Sequence, residues 1–129
     1  AKEETGHAMK IYSYINEQGG RVVLETIEKP RTDFDSPQQI FELGLEHEKF
    51  VTKSIYNLVS LAQEEKDYAS QQFLDWFVKE QVEEEKNASE ILAQIKLAGS
   101  AGLFLVDKDL GTRTFVMPPD LAGGASANA

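Results

Sequence analysis

The chain has 129 residues and a mass of 14.4 kDa, which suits one domain, and no second domain is expected within it. Its net charge of −9 and pI of about 4.7 disfavour nucleic acids and anionic membranes as partners and favour metal cations. The sequence contains no Cys, so disulfides and thiolate metal sites are excluded and any metal ligands must be oxygen or imidazole groups.

The N-terminus does not have the pattern of a secretory leader, because residues 1–10 are charged and lack a long apolar segment. A reducing, cytoplasmic location is the matching expectation. We find no apolar run near the length of a membrane span, so no membrane role is expected. The chain opens on AKEETGHAMKIYSYI without an initiator Met or a capping residue, so we expect it to begin inside a helix, as a shortened chain would.

The first predicted helix covers residues 3–18, where apolar side chains recur three and four residues apart, and Gly19-Gly20 should end it. Residues 21–35 contain a proline and a short β-branched stretch, which predicts an extended connection. Such a connection can span about 50 Å. This exceeds the length of about 43 Å expected for the next helix. The connection can therefore cross a bundle and let the first two helices run parallel.

The second helix should begin at Ser36, an N-cap residue followed by Pro37 in the first turn and by Gln39 at a capping-box position. We expect it to end near Glu64. Its broad apolar face should include several aliphatic residues, among them Ile40, Leu58 and Leu61. A brief turn at residues 65–67 should then force the third helix to lie antiparallel to the second.

The third helix is predicted at residues 68–97, followed by a glycine-containing break at 98–102 and a short apolar helix at 103–110. From Gly111 onward the chain should be loosely ordered. We therefore expect one bundle domain at residues 1–112 and a tail at residues 113–129.

Each predicted long helix carries a carboxylate on a stripe that is otherwise apolar. Gln81 and Glu84 lie in line with the apolar face of the third helix, and Glu48 lies in line with that of the second. In the first helix, Glu4 and His7 form an E-x-x-H pair on the apolar face. Carboxylates are seldom buried together without compensation, which a divalent cation would supply.

Each of these residues also has a simpler interpretation. E-x-x-H pairs are common on solvated helices, and Glu48 could instead be a partly buried carboxylate paired with Lys or Arg. The run of residues 83–85 would usually be a solvated face. His47 is rotated about 100° from Glu48 and belongs to the surface, while Trp76 belongs to the core. A metal site is favoured because three separate helices each place a carboxylate on the inward-facing stripe, and one of these carboxylates lies beside a His.

Four stretches, in this order, resemble the ferritin family, in particular the prokaryotic non-haem ferritins: EETGHAM, EHEKF, FLDWFVKEQVEEEK and FLVDKDL. The resemblance implies an all-α, ferritin-like four-helix bundle with one long crossover and a short C-terminal helix, here missing its first helix and the start of the second. Gln81-x-x-Glu84 stands where bacterioferritins and rubrerythrins have Glu-x-x-His, which favours ferritin proper. The short final helix distinguishes the chain from the DNA-protecting mini-ferritins.

The resemblance also implies a function, which is iron storage with ferroxidase activity. Fe(II) would be oxidised by O2 or H2O2 at a dinuclear carboxylate site, and ferric mineral would be stored in a hollow homo-oligomeric shell of 24 subunits. Glu4 would bridge two irons, and His7 would bind one of them. Glu48 and Glu84 would hold the other, with Gln81 as a hydrogen-bonding neighbour. A third iron nearby would be bound by Glu84 together with other acidic residues: Glu3, Glu80 and Glu83.

Two other functions stay open from the sequence. One is a ferritin-like structural shell subunit, or an iron-binding fragment, without efficient oxidation. The other is a helical interaction module with no metal. In the family, the missing first helix supplies a further carboxylate to the iron site, so the resemblance alone does not decide the activity of this chain. Without that helix the remaining helices should expose apolar stripes, and we expect the chain to associate.

Overall fold

The computed structural model describes residues 2–114. These residues contain three α-helices and no strand: α1 (Lys2–Glu17), α2 (Pro37–Glu64) and α3 (Tyr68–Leu110). The all-α class predicted from the sequence is confirmed for this part of the chain. The described residues fall into two compact units, one with α1 and the other, residues 31–111, with α2 and α3. The predicted tail lies outside the described residues from residue 115 onward.

The first helix ends where the double glycine predicts. Gly19 has a φ of 75°, in the left-handed region that favours glycine. The amides of Gly19 and Gly20 donate to the carbonyls of Asn16 and Ile15 at 3.0 and 2.8 Å, which satisfies carbonyls at the helix end. Residues 20–34 then form neither helix nor strand, so a connection without secondary structure is confirmed, while its extended course stays a prediction. The parallel direction of α1 and α2 stays a prediction.

The start of α2 confirms the predicted N-cap and corrects one detail of it. Ser36 has extended backbone angles, and its Oγ accepts a hydrogen bond from the Gln39 amide at 3.1 Å. In a capping box the Gln39 side chain would accept from the Ser36 amide. It instead accepts from the Asp35 amide at 2.8 Å and donates to the Asp35 carboxylate at 2.7 Å. The Gln39 carboxamide bonds Asp35 rather than the Ser36 amide, because Asp35 offers it both a backbone N–H donor and a carboxylate acceptor.

A three-residue turn joins α2 to α3, as predicted. Lys66 has a φ of 56°, and the Asp67 amide donates back to the Ala62 carbonyl at 2.8 Å. Asp67 is the N-cap of α3, and its carboxylate accepts from both the amide and the hydroxyl of Ser70. The two helices are antiparallel, since Glu42 near the start of α2 pairs with Lys96 late in α3 at 3.2 Å.

The break near the end of α3 is shorter than the sequence predicts. The helix continues to Leu110, and the non-helical backbone inside it is at Gly99, with φ 58° and ψ −170°. The expected five-residue interruption is therefore a sharp kink at one residue, which glycine permits because it has no Cβ. Residues 100–110 lie beside the start of α2, where both helices line an open cavity of about 310 Å³ that includes Pro37 and Val106.

The core between α2 and α3 is narrow. Its buried apolar side chains are Ile55, Ala62, Leu74, Phe77, Leu92, Ile95 and Val106. Three residues that the sequence places on the apolar face of α2 are substantially exposed instead: Ile40 at 45%, Leu58 at 46% and Leu61 at 53%. A single neighbouring helix covers only a narrow stripe, so the rest of a broad apolar face stays at the surface.

The C-terminal half of α3 also exposes large apolar side chains, with Leu97 at 91%, Phe104 at 74% and Leu105 at 69%. By length and composition alone, α3 could cross a membrane, and 11% of its most apolar window is buried. This is weak support for a span, because core helices of soluble proteins pass the same test. The expectation of no membrane role therefore stays a prediction.

Candidate functional site

The first group of predicted site residues lies on α1. Glu4 and His7 are one turn apart, and His7 Nδ1 is 3.8 Å from Glu4 Oε2. The two side chains differ in exposure, since that of His7 is 11% exposed and that of Glu4 is 68% exposed. Glu3, predicted as an outer ligand, is half-buried on the same helix. The helix thus brings an imidazole and a carboxylate together, as the E-x-x-H spacing predicts.

The second group lies between α2 and α3. Gln81 is 5% exposed, and its Nε2 donates to Glu48 Oε2 and to the Glu48 carbonyl, both at 3.2 Å. Glu48 is half-buried. The simpler interpretation paired Glu48 with Lys or Arg. In the structure, the Glu48 carboxylate accepts a hydrogen bond from the neutral amide of Gln81 instead. A neutral amide adds no positive charge beside Glu48, unlike the Lys or Arg of the simpler interpretation.

Two residues that the sequence analysis did not select extend this group. Thr52 is 9% exposed, and its hydroxyl lies 2.6 Å from Glu85 Oε1 and 3.0 Å from the Glu48 carbonyl. Gln81 Nε2 also donates to Thr52 Oγ1 at 3.3 Å. Glu48, Thr52, Gln81 and Glu85 therefore form one connected hydrogen-bond group, named here the Gln81 network. Its members on each helix are four residues apart, which places them on one face.

The other predicted acidic ligands lie on α3 near the network. Glu80 and Glu84 are half-buried, whereas Glu83 is exposed. The stretch at 83–85 is therefore only partly a solvated face, because Glu84 and Glu85 are both withdrawn from full exposure. His47 is exposed, with its ring centroid 6.4 Å from that of Phe50, as expected for a surface residue.

The structure thus brings together two subsets of the predicted residues, Glu4 with His7 and Glu48 with Gln81. The joining of these subsets into one iron site stays a prediction. The residues missed were Thr52 and Glu85. A signal was present for both, since Thr52 follows Glu48 by four and Glu85 follows Gln81 by four, but helix spacing alone does not tell which hydroxyl meets which carboxylate.

The chemistry of these groups suits a divalent transition metal. They offer carboxylate oxygens and one imidazole, a donor set that ferrous and ferric iron accept. Burial of Gln81 and Thr52 limits access of water to their hydrogen bonds, so the network holds Glu48 in place more firmly than a solvated contact would.

Comparisons with known proteins agree with this chemistry. The family model described as ferritin-like domain matches residues 1–98. A probable bacterial non-heme ferritin-like protein of Haemophilus influenzae is 45% identical over 113 residues, covering 86% of this chain and 68% of that protein. A bacterial non-heme ferritin of Staphylococcus aureus is 43% identical over 117 residues, covering 89% of this chain and 70% of its own length.

Solved structures give the same result. An open-pore ferritin from the hyperthermophilic archaeon Archaeoglobus fulgidus aligns with a TM-score of 0.86 and 45% identity, covering 88% of this chain and 71% of that one. A humanized archaeal ferritin aligns with a TM-score of 0.87 and 44% identity, covering 90% and 72%. The chain belongs to the ferritin family, and its fold is that of a ferritin-like helical bundle. Among its similar relatives are bacterial non-haem ferritins, so membership supports iron storage as the broad function.

Proposed function

We propose that this chain is a subunit of an iron store that oxidises Fe(II) at a dinuclear carboxylate site. The observation that carries the proposal is the hydrogen bond from Gln81 to Glu48 at the α2–α3 interface. It holds a carboxylate in place with a donor that adds no positive charge, which leaves that carboxylate able to bind a cation. Family membership supports the storage of iron.

In this proposal the ligands come from three helices. Glu4 bridges two iron ions, and His7 binds one of them. Glu48 and Glu84 bind the other, while Gln81 orients Glu48. The arrangement of one Glu with a Glu-x-x-His pair follows the pattern of di-iron carboxylate bundles. Support for the α1 part comes from the 3.8 Å approach of His7 to Glu4.

The reaction requires two irons because oxygen must accept two electrons. Each Fe(II) loses one electron, and one O2 takes up two electrons and two protons to become H2O2. With H2O2 as the oxidant, two electrons and two protons yield two water molecules. Fe(III) then hydrolyses, releases protons and adds to a ferric mineral. Glu3, Glu80 and Glu83, with Glu84, are proposed to bind a third iron near the pair.

The proposed setting is a cytoplasmic homo-oligomer of 24 subunits that encloses the mineral. Similarity to an open-pore ferritin supports assembly into a shell. The net charge of −9 supports a cation as cargo, because it raises the local concentration of positive ions.

Stopped-flow oxidation of Fe(II) tests the enzymatic part. We expect the full chain to oxidise Fe(II) faster than buffer, and Glu48→Ala and Glu84→Ala to lower the initial rate about 10- to 100-fold. Glu46→Ala is the matched control, since Glu46 is exposed on α2 two residues from Glu48. Oxidation by the unsubstituted chain at the rate of buffer would remove the ferroxidase assignment and leave a shell subunit that binds iron without oxidising it.

Equilibrium dialysis tests metal binding separately from oxidation. We expect Fe(II), kept anaerobic, and Zn(II) to bind the chain, and Glu4→Ala and Glu84→Ala to weaken that binding. Asp75→Ala, an exposed change on α3, should leave it unchanged. Equal binding by all three variants and the unsubstituted chain would favour a helical interaction module over an iron protein.

A further inference from the structure

We propose that Thr52 and Glu85 are positioning residues that allow the Gln81 side-chain amide only one orientation, with its NH2 group toward α2. This inference rests on the proposed function, because the oriented amide holds Glu48 as an iron ligand. Neither Thr52 nor Glu85 is among the predicted ligands. Their role follows from counting the hydrogens available within the Gln81 network.

The Thr52 hydroxyl has one hydrogen and two acceptors within reach. Glu85 Oε1 is 2.6 Å away, and the Glu48 carbonyl is 3.0 Å away. The carboxylate takes the hydrogen, since hydrogen bonds from a hydroxyl to an ionised oxygen are stronger and have lengths of about 2.5–2.7 Å. Thr52 Oγ1 is then left with lone pairs only, and it can accept a hydrogen bond but cannot donate a second one.

The donation of the Thr52 hydrogen to Glu85 restricts the orientation of the Gln81 side-chain amide. The contacts it makes with α2 all start from Nε2, which lies 3.2 Å from Glu48 Oε2 and 3.3 Å from Thr52 Oγ1. If the amide were flipped, its oxygen would face the Glu48 carboxylate and carbonyl, which are acceptors. Thr52 could satisfy a flipped amide oxygen only with the hydrogen that Glu85 has taken. Glu85 therefore withholds from a flipped amide oxygen the Thr52 hydrogen that would stabilise it, without touching Gln81.

The result is a directed series of hydrogen bonds. The Gln81 amide donates one hydrogen to Glu48 Oε2 and shares the other between the Glu48 carbonyl and Thr52, and Thr52 donates to Glu85. Bonds arranged in series polarise one another and strengthen. Since Gln81 is 5% exposed and Thr52 is 9% exposed, water does not readily replace these partners. The Gln81 oxygen is turned away from Thr52, and Glu48 Oε1 is left to bind a cation.

A direct test measures the Gln81 side-chain amide in the metal-free full chain by ¹⁵N–¹H NMR, with Gln81→Leu identifying its signals. We expect Thr52→Val and Glu85→Ala to shift both NH2 signals and speed their exchange with water. Thr52→Ser should restore the unsubstituted spectrum, and Glu85→Gln should have a smaller effect because its amide oxygen still accepts. Ser54→Ala is the matched control, since that hydroxyl bonds the Phe50 carbonyl within its own helix.

Gln81 signals that respond to Thr52→Val no more than to Ser54→Ala would overturn the inference. The rate of Fe(II) oxidation gives a second readout, and we expect Thr52→Val to lower it about 10- to 100-fold while Thr52→Ser retains it. If the unsubstituted chain oxidises no faster than Glu84→Ala, the ferroxidase proposal fails and the NMR result still decides the orientation. If it oxidises faster but Thr52→Val matches Ser54→Ala, the positioning role fails and the ferroxidase proposal stands.

Discussion

The amide nitrogen of Gln81 on α3 lies 3.2 Å from the carboxylate of Glu48 on α2, and Gln81 is buried. Gln81→Glu would replace this donor by a second carboxylate. We expect it to destabilise the metal-free chain by about 1–3 kcal/mol, because a buried hydrogen bond is lost and two like charges face each other.

A divalent cation should reverse much of that loss, since it binds the folded chain through both carboxylates. Thermal unfolding followed by circular dichroism, with and without Zn(II), checks this prediction. Gln72→Glu, on an exposed position of α3, is the control and should show neither the loss nor the recovery. Identical behaviour of the two variants would contradict the buried contact.

Two glycines should respond oppositely to alanine. Gly99 has φ 58° and ψ −170°, a region that is almost restricted to glycine, so Gly99→Ala should cost about 1–3 kcal/mol. Gly44 lies inside α2, and a Cβ there would meet nothing within 4 Å, so Gly44→Ala should add about 1 kcal/mol of stability. Urea unfolding of both variants measures the difference. A stabilising effect of Gly99→Ala would be inconsistent with the kink.

The N-cap of α3 should make stability depend on pH. The Ser70 hydroxyl, and then the Ser70 amide, donate to the Asp67 carboxylate and lower the pKa of Asp67. A group with a lowered pKa in the folded state stabilises it fully above its unfolded pKa, which is about 3.9 for Asp. This contribution is lost as the pH falls through the lowered folded pKa.

Asp67→Asn separates the charge from the cap. Asn is a comparable N-cap, so we expect unfolding temperatures near those of the unsubstituted chain at neutral pH. As the pH falls below about 4, the unsubstituted chain should lose more stability than the variant. If the unfolding temperatures of the two chains fell equally over that range, Asp67 would not be the source of the pH dependence.

Exposed apolar residues at the end of α3 should drive association. Leu97, Phe104 and Leu105 are each more than two-thirds exposed. Apolar surface of this kind commonly marks a contact with another chain. We expect sedimentation velocity to show oligomers at micromolar concentration, and Phe104→Ser with Leu105→Ser to shift the distribution toward monomer. A double variant with the same distribution would place the contact elsewhere.

Most helix ends are predictable from the sequence because they depend on local chemistry. Ser36 and Pro37 specify the start of α2, and Gly19 specifies the end of α1. The extent of the break near Gly99 was overestimated, because several small residues favour a break while only one needs a non-helical backbone. The predicted contact of the Gln39 side chain with Ser36 is instead made with Asp35, because both residues lie within reach of the same side chain.

The site was predictable only in part. Inward positions of Glu48 and Gln81 follow from apolar periodicity on each helix, and both are buried or half-buried. Thr52 and Glu85 are 33 residues apart, and their contact depends on how far one helix is displaced along the other. Periodicity within a helix contains no information on that displacement. Exposure of Leu58 and Leu61 was likewise missed, because it depends on how many helices surround α2.

The Gln81 network also favours one register of α2 against α3, because its hydrogen bonds cross between the two helices. Sliding one helix by a turn, about 5.4 Å, would separate the Gln81 amide from Thr52 and the Thr52 hydroxyl from Glu85. Its NH2 group and the Glu85 carboxylate would then be desolvated without their present partners, a far worse outcome than mismatched hydrocarbon packing. Polar side chains among aliphatic ones thus favour one axial position of α2 relative to α3. This preference does not require a bound metal.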